Sequence, residues 1–158
     1  MPDETTNANL ANGSIRNEAA GRLLALDLGE KRTGVAITDE MRLTIRPLPA
    51  LHQTSWKELL RSVAEIVRRF DAKALVIGLP LNFDGTEGAA AEKARKRAHD
   101  FELSLNLPVY LQDERLTSRA AEEHLRSAGH TEREVKELVD SHSATIILRD
   151  FLEHLSWS

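Results

Sequence analysis

Two short runs of almost unbroken apolar residues constrain the fold of this chain more than any other feature. Residues 23–26 read LLAL and residues 74–79 read ALVIGL. Such runs are typical of β-strands whose two faces are both buried. Because a sheet buried on both faces needs helices on both sides, the runs predict an α/β fold.

The segments around these runs predict the element order βββαβαβα. Short turns separate the first run from strands predicted at 33–38 and at 43–48 before Pro49, so the three strands form an antiparallel meander. A capping box begins at Ser55, and an apolar stripe at helical spacing follows it to Phe70. A fifth strand is predicted at 108–112, and further helices are predicted at 87–105, at 118–128 and near the C-terminal end. The sequence therefore predicts a mixed five-stranded sheet with helices packed on its faces.

The composition excludes several classes of protein. The chain has 158 residues and no cysteine, so we expect one domain at 21–158 without disulfides or thiolate metal sites. Residues 1–20 have neither apolar periodicity nor a signal-peptide pattern, and we expect a disordered N-terminal tail. No run of about 18 apolar residues occurs, so we expect no membrane association and, by default, a cytoplasmic location.

The charges are unevenly distributed. The net charge of −4 argues against a protein that binds nucleic acid by its overall charge, because neutralising phosphates requires Lys and Arg. Local basic groups could serve instead: Lys31 with Arg32, Arg42 with Arg46, and the run KARKR at 93–97. A solvated helix face is the ordinary interpretation of the 93–97 group.

Carboxylates at strand ends are the first candidates for chemistry. Asp27 lies near the end of an apolar strand, where an ionised carboxylate costs several kcal/mol unless it is paired or binds metal. Asp113 and Glu114 follow the fifth strand, and alternation sends their side chains to opposite faces, so only one of them can share a site with Asp27. The carboxyl ends of parallel strands meet at one edge, which also brings the loop after Pro80 close.

Asp140 is the third candidate acid. It either caps the N-terminus of the last helix or lies on the buried stripe of that helix. The apolar residues that follow it at helical spacing are Ala144, Ile147 and Phe151. Three carboxylates without a Cys or His cluster favour Mg²⁺ or Mn²⁺, and two such ions can activate water for phosphodiester cleavage. The acids thus predict a metal-dependent nuclease, in which His142 could assist proton transfer, although a surface histidine is the commoner case.

Four segments together closely resemble the YqgF family, whose members are described as pre-16S rRNA nucleases and Holliday-junction-resolvase-like proteins. The segments are ALDLGEKRTGVAITD (25–39), VIGLPLNFDGTEG (76–88), DERLTSRAAE (113–122) and the D-x-x-x-A-x-x-I-L pattern at 140–148. The resemblance extends from about residue 22 to residue 155, in the order and spacing of the family. It implies an RNase H-like fold and hydrolysis of nucleic-acid phosphodiesters.

The resemblance also implies roles for individual residues. The catalytic and metal-binding residues that it implies are Asp27, Glu114 and Asp140, which would hold Mg²⁺ or Mn²⁺, with two ions when substrate is bound. It further implies that Arg115 contacts phosphate and that Arg32 and Asn82 line the nucleic-acid cleft.

Other functions remain open at this stage. An actin-like or sugar-kinase ATP-binding domain also opens with an Asp-x-Gly turn, although it needs a second domain. An RNase H-like module that binds RNA without cutting it is a further alternative. The sequence gives little ground for choosing the substrate between the 5′ end of precursor 16S rRNA and a four-way DNA junction. Because a junction needs two matched cuts and no large apolar dimer patch is evident, we favour rRNA and a monomer or weak homodimer.

Overall fold

The computed structural model of the chain describes residues 21–114, 127, 129 and 131–157. The described elements, in chain order, are β1 (Arg22–Leu28), β2 (Arg32–Thr38), β3 (Ile45–His52), α1 (Trp56–Phe70), β4 (Ala72–Pro80), α2 (Ala89–Leu105), β5 (Val109–Glu114) and α3 (Glu132–Trp157). The strands form one sheet in the order β3-β2-β1-β4-β5. β1 pairs antiparallel with β2 and parallel with β4, and β4 pairs parallel with β5. The predicted mixed five-stranded α/β sheet is therefore confirmed.

The two faces of the sheet bury two separate sets of apolar side chains. Helices α1 and α2 cover one face, which we call the α1–α2 face. Its buried strand residues are Leu24, Leu26, Val35, Ile37, Ala72, Leu75 and Ile77. Helix α3 covers the other face, which we call the α3 face; its buried strand residues are Leu23, Ala25, Ala36, Ala74 and Val76. Strand residues alternate between the two faces because successive side chains of a strand point in opposite directions.

Strand β3 is longer than the sequence predicted. The prediction ended it before Pro49, but the strand continues to His52 and includes both Pro47 and Pro49. Proline lacks the backbone N–H that a ladder needs, so a proline in the middle of a strand is tolerated mainly in edge strands, and β3 is an edge strand of this sheet. The boundary was wrong because the sequence does not say which strands lie at the edges.

The predicted start of α1 is confirmed. Its N-cap is Ser55, whose side chain accepts a hydrogen bond from the backbone N–H of Glu58. The carboxylate of Glu58 accepts a hydrogen bond from the hydroxyl of Thr54, the residue before the N-cap, at 2.7 Å. Helix α2 begins at Ala89 rather than at 87, because Glu87 forms a bridge with Leu81.

The last helix corrects one prediction about Asp140. Helix α3 is continuous from Glu132, so Asp140 lies inside it and is not its N-cap. The predicted helix at 118–128 lies outside the described residues except for residue 127. Among the described helices, none is long and apolar enough to cross a membrane.

Candidate active site

Asp27 lies on the α3 face near the carboxyl end of β1. Leu23 and Ala25 point to that face, and Asp27 continues their alternation. Its partner across the β1–β2 ladder is Gly34, which has no side chain on this face. Asp27 is half-buried. A half-buried carboxylate therefore lies one residue before the end of this central strand.

Glu114 shares the α3 face, and this resolves the choice that the sequence left open between it and Asp113. The prediction placed both acids beyond the strand, but β5 extends to Glu114, which pairs with Pro80. Tyr110 of β5 packs on the α3 face, so Glu114 also points there and Asp113 points to the α1–α2 face. Glu114 is half-buried, with its Oε1 atom shielded from solvent, whereas Asp113 is exposed.

Gly78 makes room for Ile147 beside the acidic pair, and it was not among the residues predicted from the sequence. The pairing of Leu26 with Ile77 places Gly78 beside Asp27 on the α3 face. A Cβ atom at Gly78 would lie 2.7 Å from Cδ1 of Ile147 and 3.6 Å from Cγ of Glu114. A lone glycine inside an apolar strand was the available signal, because it marks a close approach of other atoms to the backbone.

Arg32 is the first residue of β2 and lies at the same end of the strands as Asp27 and Glu114. The ladder pairs Leu28 with Thr33, and the alternation that puts Ala36 on the α3 face puts Arg32 there as well. Its side chain is half-buried, and the Nη1 atom is shielded from solvent. A guanidinium on the same face as two acids can offset their charge and donate hydrogen bonds to a phosphate.

Asn82 lies in the loop that follows β4, which we call the 81–88 loop. Its backbone N–H donates to the carbonyl of Thr86 at 2.9 Å, and its Nδ2 donates to the hydroxyl of Thr86 at 3.0 Å. The loop is joined to the end of β5 because the N–H of Leu81 donates to the carbonyl of Glu114 at 2.9 Å. Asn82 is exposed and helps to close the loop, and the loop lies beside the acidic pair.

Two predicted site residues are described only in part or not at all. Asp140 belongs to α3 one helical turn before Ala144, a buried member of the α3 face, but its side chain lies outside the described part of the chain. Arg115 lies wholly outside it. His142 is exposed.

The basic group at 93–97 does not belong to the acidic pair's surroundings. Arg95 is bound to Glu87, and this hydrogen bond and charge lower the pKa of the Glu87 carboxyl. Arg97 lies over the ring of Trp56, with 4.6 Å from its Cζ atom to the ring centroid. Both arginines are carried by α2, which packs on the α1–α2 face, so the sheet separates that helix from Asp27 and Glu114.

The donor set fits a hard divalent cation. Asp27 and Glu114 supply carboxylate oxygens on one face, and the chain has no cysteine that could supply a thiolate. Within the described residues no three His, Cys, Asp or Glu side chains gather as metal ligands, so a third protein ligand would have to come from outside them. Carboxylate pairs of this kind can hold Mg²⁺ or Mn²⁺ together with water and phosphate oxygens.

Comparison with known proteins identifies the family. The family model described as "RuvX: Holliday junction resolvase" matches residues 21–154, which is nearly the whole described chain. This chain belongs to the RuvX family. The match covers every described strand and nearly all of α3, so the acidic pair lies inside it.

Relatives and solved structures agree with RuvX membership. A protein of Syntrophus aciditrophicus named "Putative pre-16S rRNA nuclease" is 42% identical over 135 residues, which cover 85% of this chain and 90% of the relative. A protein of Lactobacillus acidophilus with the same name is 37% identical over 136 residues, covering 84% and 96%. The structure titled "T. thermophilus RuvC in complex with Holliday junction substrate" superposes with a TM-score of 0.52 at 16% identity, covering 84% of this chain and 96% of that one. The predicted family, YqgF or RuvX, and the RNase H-like fold class are confirmed. The names of the relatives support the nuclease class.

Proposed function

We propose that this RuvX-family protein is a metal-dependent endonuclease that hydrolyses nucleic-acid phosphodiesters. The observation that carries the proposal is the pair Asp27 and Glu114, which share the α3 face at the carboxyl edge of the sheet, beside Gly78. Ligands of open α/β sheets bind at this edge. Carboxylates beside a phosphate repel it unless cations intervene, so the pair suits a metal site better than direct phosphate contact.

Each residue of the proposed site has a separate task. Asp27 and Glu114 would hold Mg²⁺ or Mn²⁺ through their oxygens, and Asp140 is the proposed third ligand. When bound, the ions would supply an activated water and stabilise the oxygen that leaves. Arg32 would donate to a non-bridging phosphate oxygen, and Arg115 and Asn82 are proposed to hold the strand along the edge.

We favour the 5′ end of precursor 16S rRNA as the substrate, with a monomer or weak homodimer as the acting form. The names of the relatives from S. aciditrophicus and L. acidophilus support an rRNA substrate. A second candidate is a four-way DNA junction, which the description of the family model favours. The chemistry is shared, since both substrates present a phosphodiester to the same carboxylates.

A cleavage panel tests the proposal. The full-length protein is incubated with a 5′-extended precursor 16S rRNA fragment, a four-way DNA junction, and single-stranded and duplex controls. We expect RNA cleavage with Mn²⁺ or Mg²⁺, little with Ca²⁺, and none in excess EDTA. Undiminished cleavage in EDTA would remove the metal mechanism. Paired symmetric nicks in the junction without cleavage of RNA would assign the second substrate.

A further inference from the structure

Phe83 is the most exposed large apolar side chain among the described residues. It is 82% exposed at the tip of the 81–88 loop. A phenylalanine in this position loses the hydrophobic stabilisation that burial would give it. Single exposed apolar residues are common, so exposure alone decides nothing. The surroundings of Phe83 are what give it meaning.

The 81–88 loop holds this ring on a fixed backbone. Thr86 donates to Asp84 Oδ1 from both its backbone N–H, at 3.0 Å, and its hydroxyl, at 2.6 Å. The N–H of Gly85 donates to the carbonyl of Asn82 at 2.9 Å, which closes the turn around Phe83. A loop with this many internal hydrogen bonds presents its exposed side chain at low entropic cost on binding.

The loop is also tied to the candidate active site. Leu81 packs with Leu79 and the first turns of α2, and its N–H donates to the carbonyl of Glu114. Phe83 therefore lies two residues from a direct backbone link to one of the two described acids. The exposed ring is therefore carried by a loop that is hydrogen-bonded to the end of β5 where Glu114 lies.

We infer that Phe83 stacks on an unpaired nucleobase of the substrate. This inference rests on the proposed function. A ring can stack on a base only where that base is not already stacked between neighbours in a duplex, so Phe83 selects single-stranded or splayed nucleotides beside the cut. Stacking is tolerant of sequence, because every base has a π-face.

The test measures binding rather than cleavage, with probes that differ only in their bases. A labelled 12-nucleotide oligoadenylate RNA and a fully abasic 12-mer with the same number of phosphates are titrated with the full-length protein in Ca²⁺. We expect Phe83→Ala and Phe83→Leu to weaken binding of the oligoadenylate on the order of tenfold, and Phe83→Trp to retain it. None of the three should change binding of the abasic strand.

Leu43→Ala is the matched control. Leu43 is 76% exposed in the turn between β2 and β3. This turn lies at the end of the strands opposite to the 81–88 loop. It should leave both affinities unchanged. Equal binding of the two probes by the wild-type protein, or equal losses on both probes in Phe83→Ala, would overturn the stacking role. A base-dependent, Phe83-dependent affinity in a protein that cleaves nothing would instead overturn the nuclease and leave the stacking site standing.

Discussion

At the residue scale, Gly78 leaves the space into which Ile147 extends. Because Ile147 is buried in the α3 face and cannot swing into solvent, Gly78→Ala should destabilise the protein by about 1–3 kcal/mol through overpacking. The free energy of unfolding in urea measures this effect. Cleavage should fall as well, because a shifted Ile147 moves α3 away from Asp27.

A double-mutant cycle isolates the contact at Gly78. Ile147→Val removes the Cδ1 atom that a new Cβ would strike, and by itself should cost about 0.5–1.5 kcal/mol. The two changes together should cost clearly less than their sum, since the second relieves the strain of the first. If the two losses of unfolding free energy were strictly additive, Ile147 of α3 would not be what limits the space at Gly78.

The sequence predicted some of the site residues and missed others for physical reasons. Asp27 could be found because a carboxylate in an apolar strand is anomalous. Alternation separated Asp113 from Glu114 but could not tell which of them faces α3, since that depends on how a distant helix packs. Gly78 left a local signal, a glycine inside an apolar strand, but the side chain that approaches it belongs to a distant helix. The exposure of Phe83 is set by the fold of the 81–88 loop and has no such signal in the local sequence.

At the element scale, the turn between β2 and β3 depends on Asp39. Its Oδ1 atom accepts hydrogen bonds from the backbone N–H groups of Thr44 and Leu43, at 3.1 and 2.7 Å. The bond from Thr44 is the main cause that holds the pKa of this carboxyl below its ordinary 3.8. The ionised side chain therefore stabilises the turn that joins the antiparallel strands.

Asp39→Asn should make this contribution visible through its pH dependence. A depressed pKa means that the stabilisation is complete above the unfolded value of 3.8 and is lost as the pH falls through the folded value. The variant should melt below wild type at neutral pH, and the two melting curves should converge as the pH drops below about 4. Glu40→Gln, which removes a neighbouring charge, is the control. A difference that persists unchanged in acid would contradict the role of the charge.

Elements with local signals were predicted well, and elements set by tertiary context were not. Ser55 and the stripe after it marked α1 correctly because a cap and an amphipathic face are local. The end of β3 was wrong because Pro47 and Pro49 are tolerated only through the position of the strand at the edge of the sheet. Asp140 shows the same limit: its side chain is one that favours N-caps, but α3 runs through it without interruption from Glu132.

At the scale of the whole molecule, the sheet separates two faces that carry different side chains. The α1–α2 face carries the larger apolar cluster and the ion pair of Arg95 with Glu87, and it supports the fold. The α3 face carries the acidic pair and Arg32. The antiparallel meander of β1 to β3 could be predicted from its short connections, but this division could not, since it arises only when α3 packs across the sheet.

One comparison tests the central claim most directly: the cleavage of precursor rRNA in Mn²⁺ by Glu114→Gln against Asp113→Asn. The two acids are adjacent in β5, and only Glu114 points to the α3 face. Glu114→Gln should lose activity by orders of magnitude while remaining folded, because it removes a ligand of the proposed metal site. Asp113→Asn should stay within about twofold of wild type, as an exposed substitution does. Wild-type cleavage by Glu114→Gln, or its loss only in Asp113→Asn, would contradict the assignment of the active site to the α3 face.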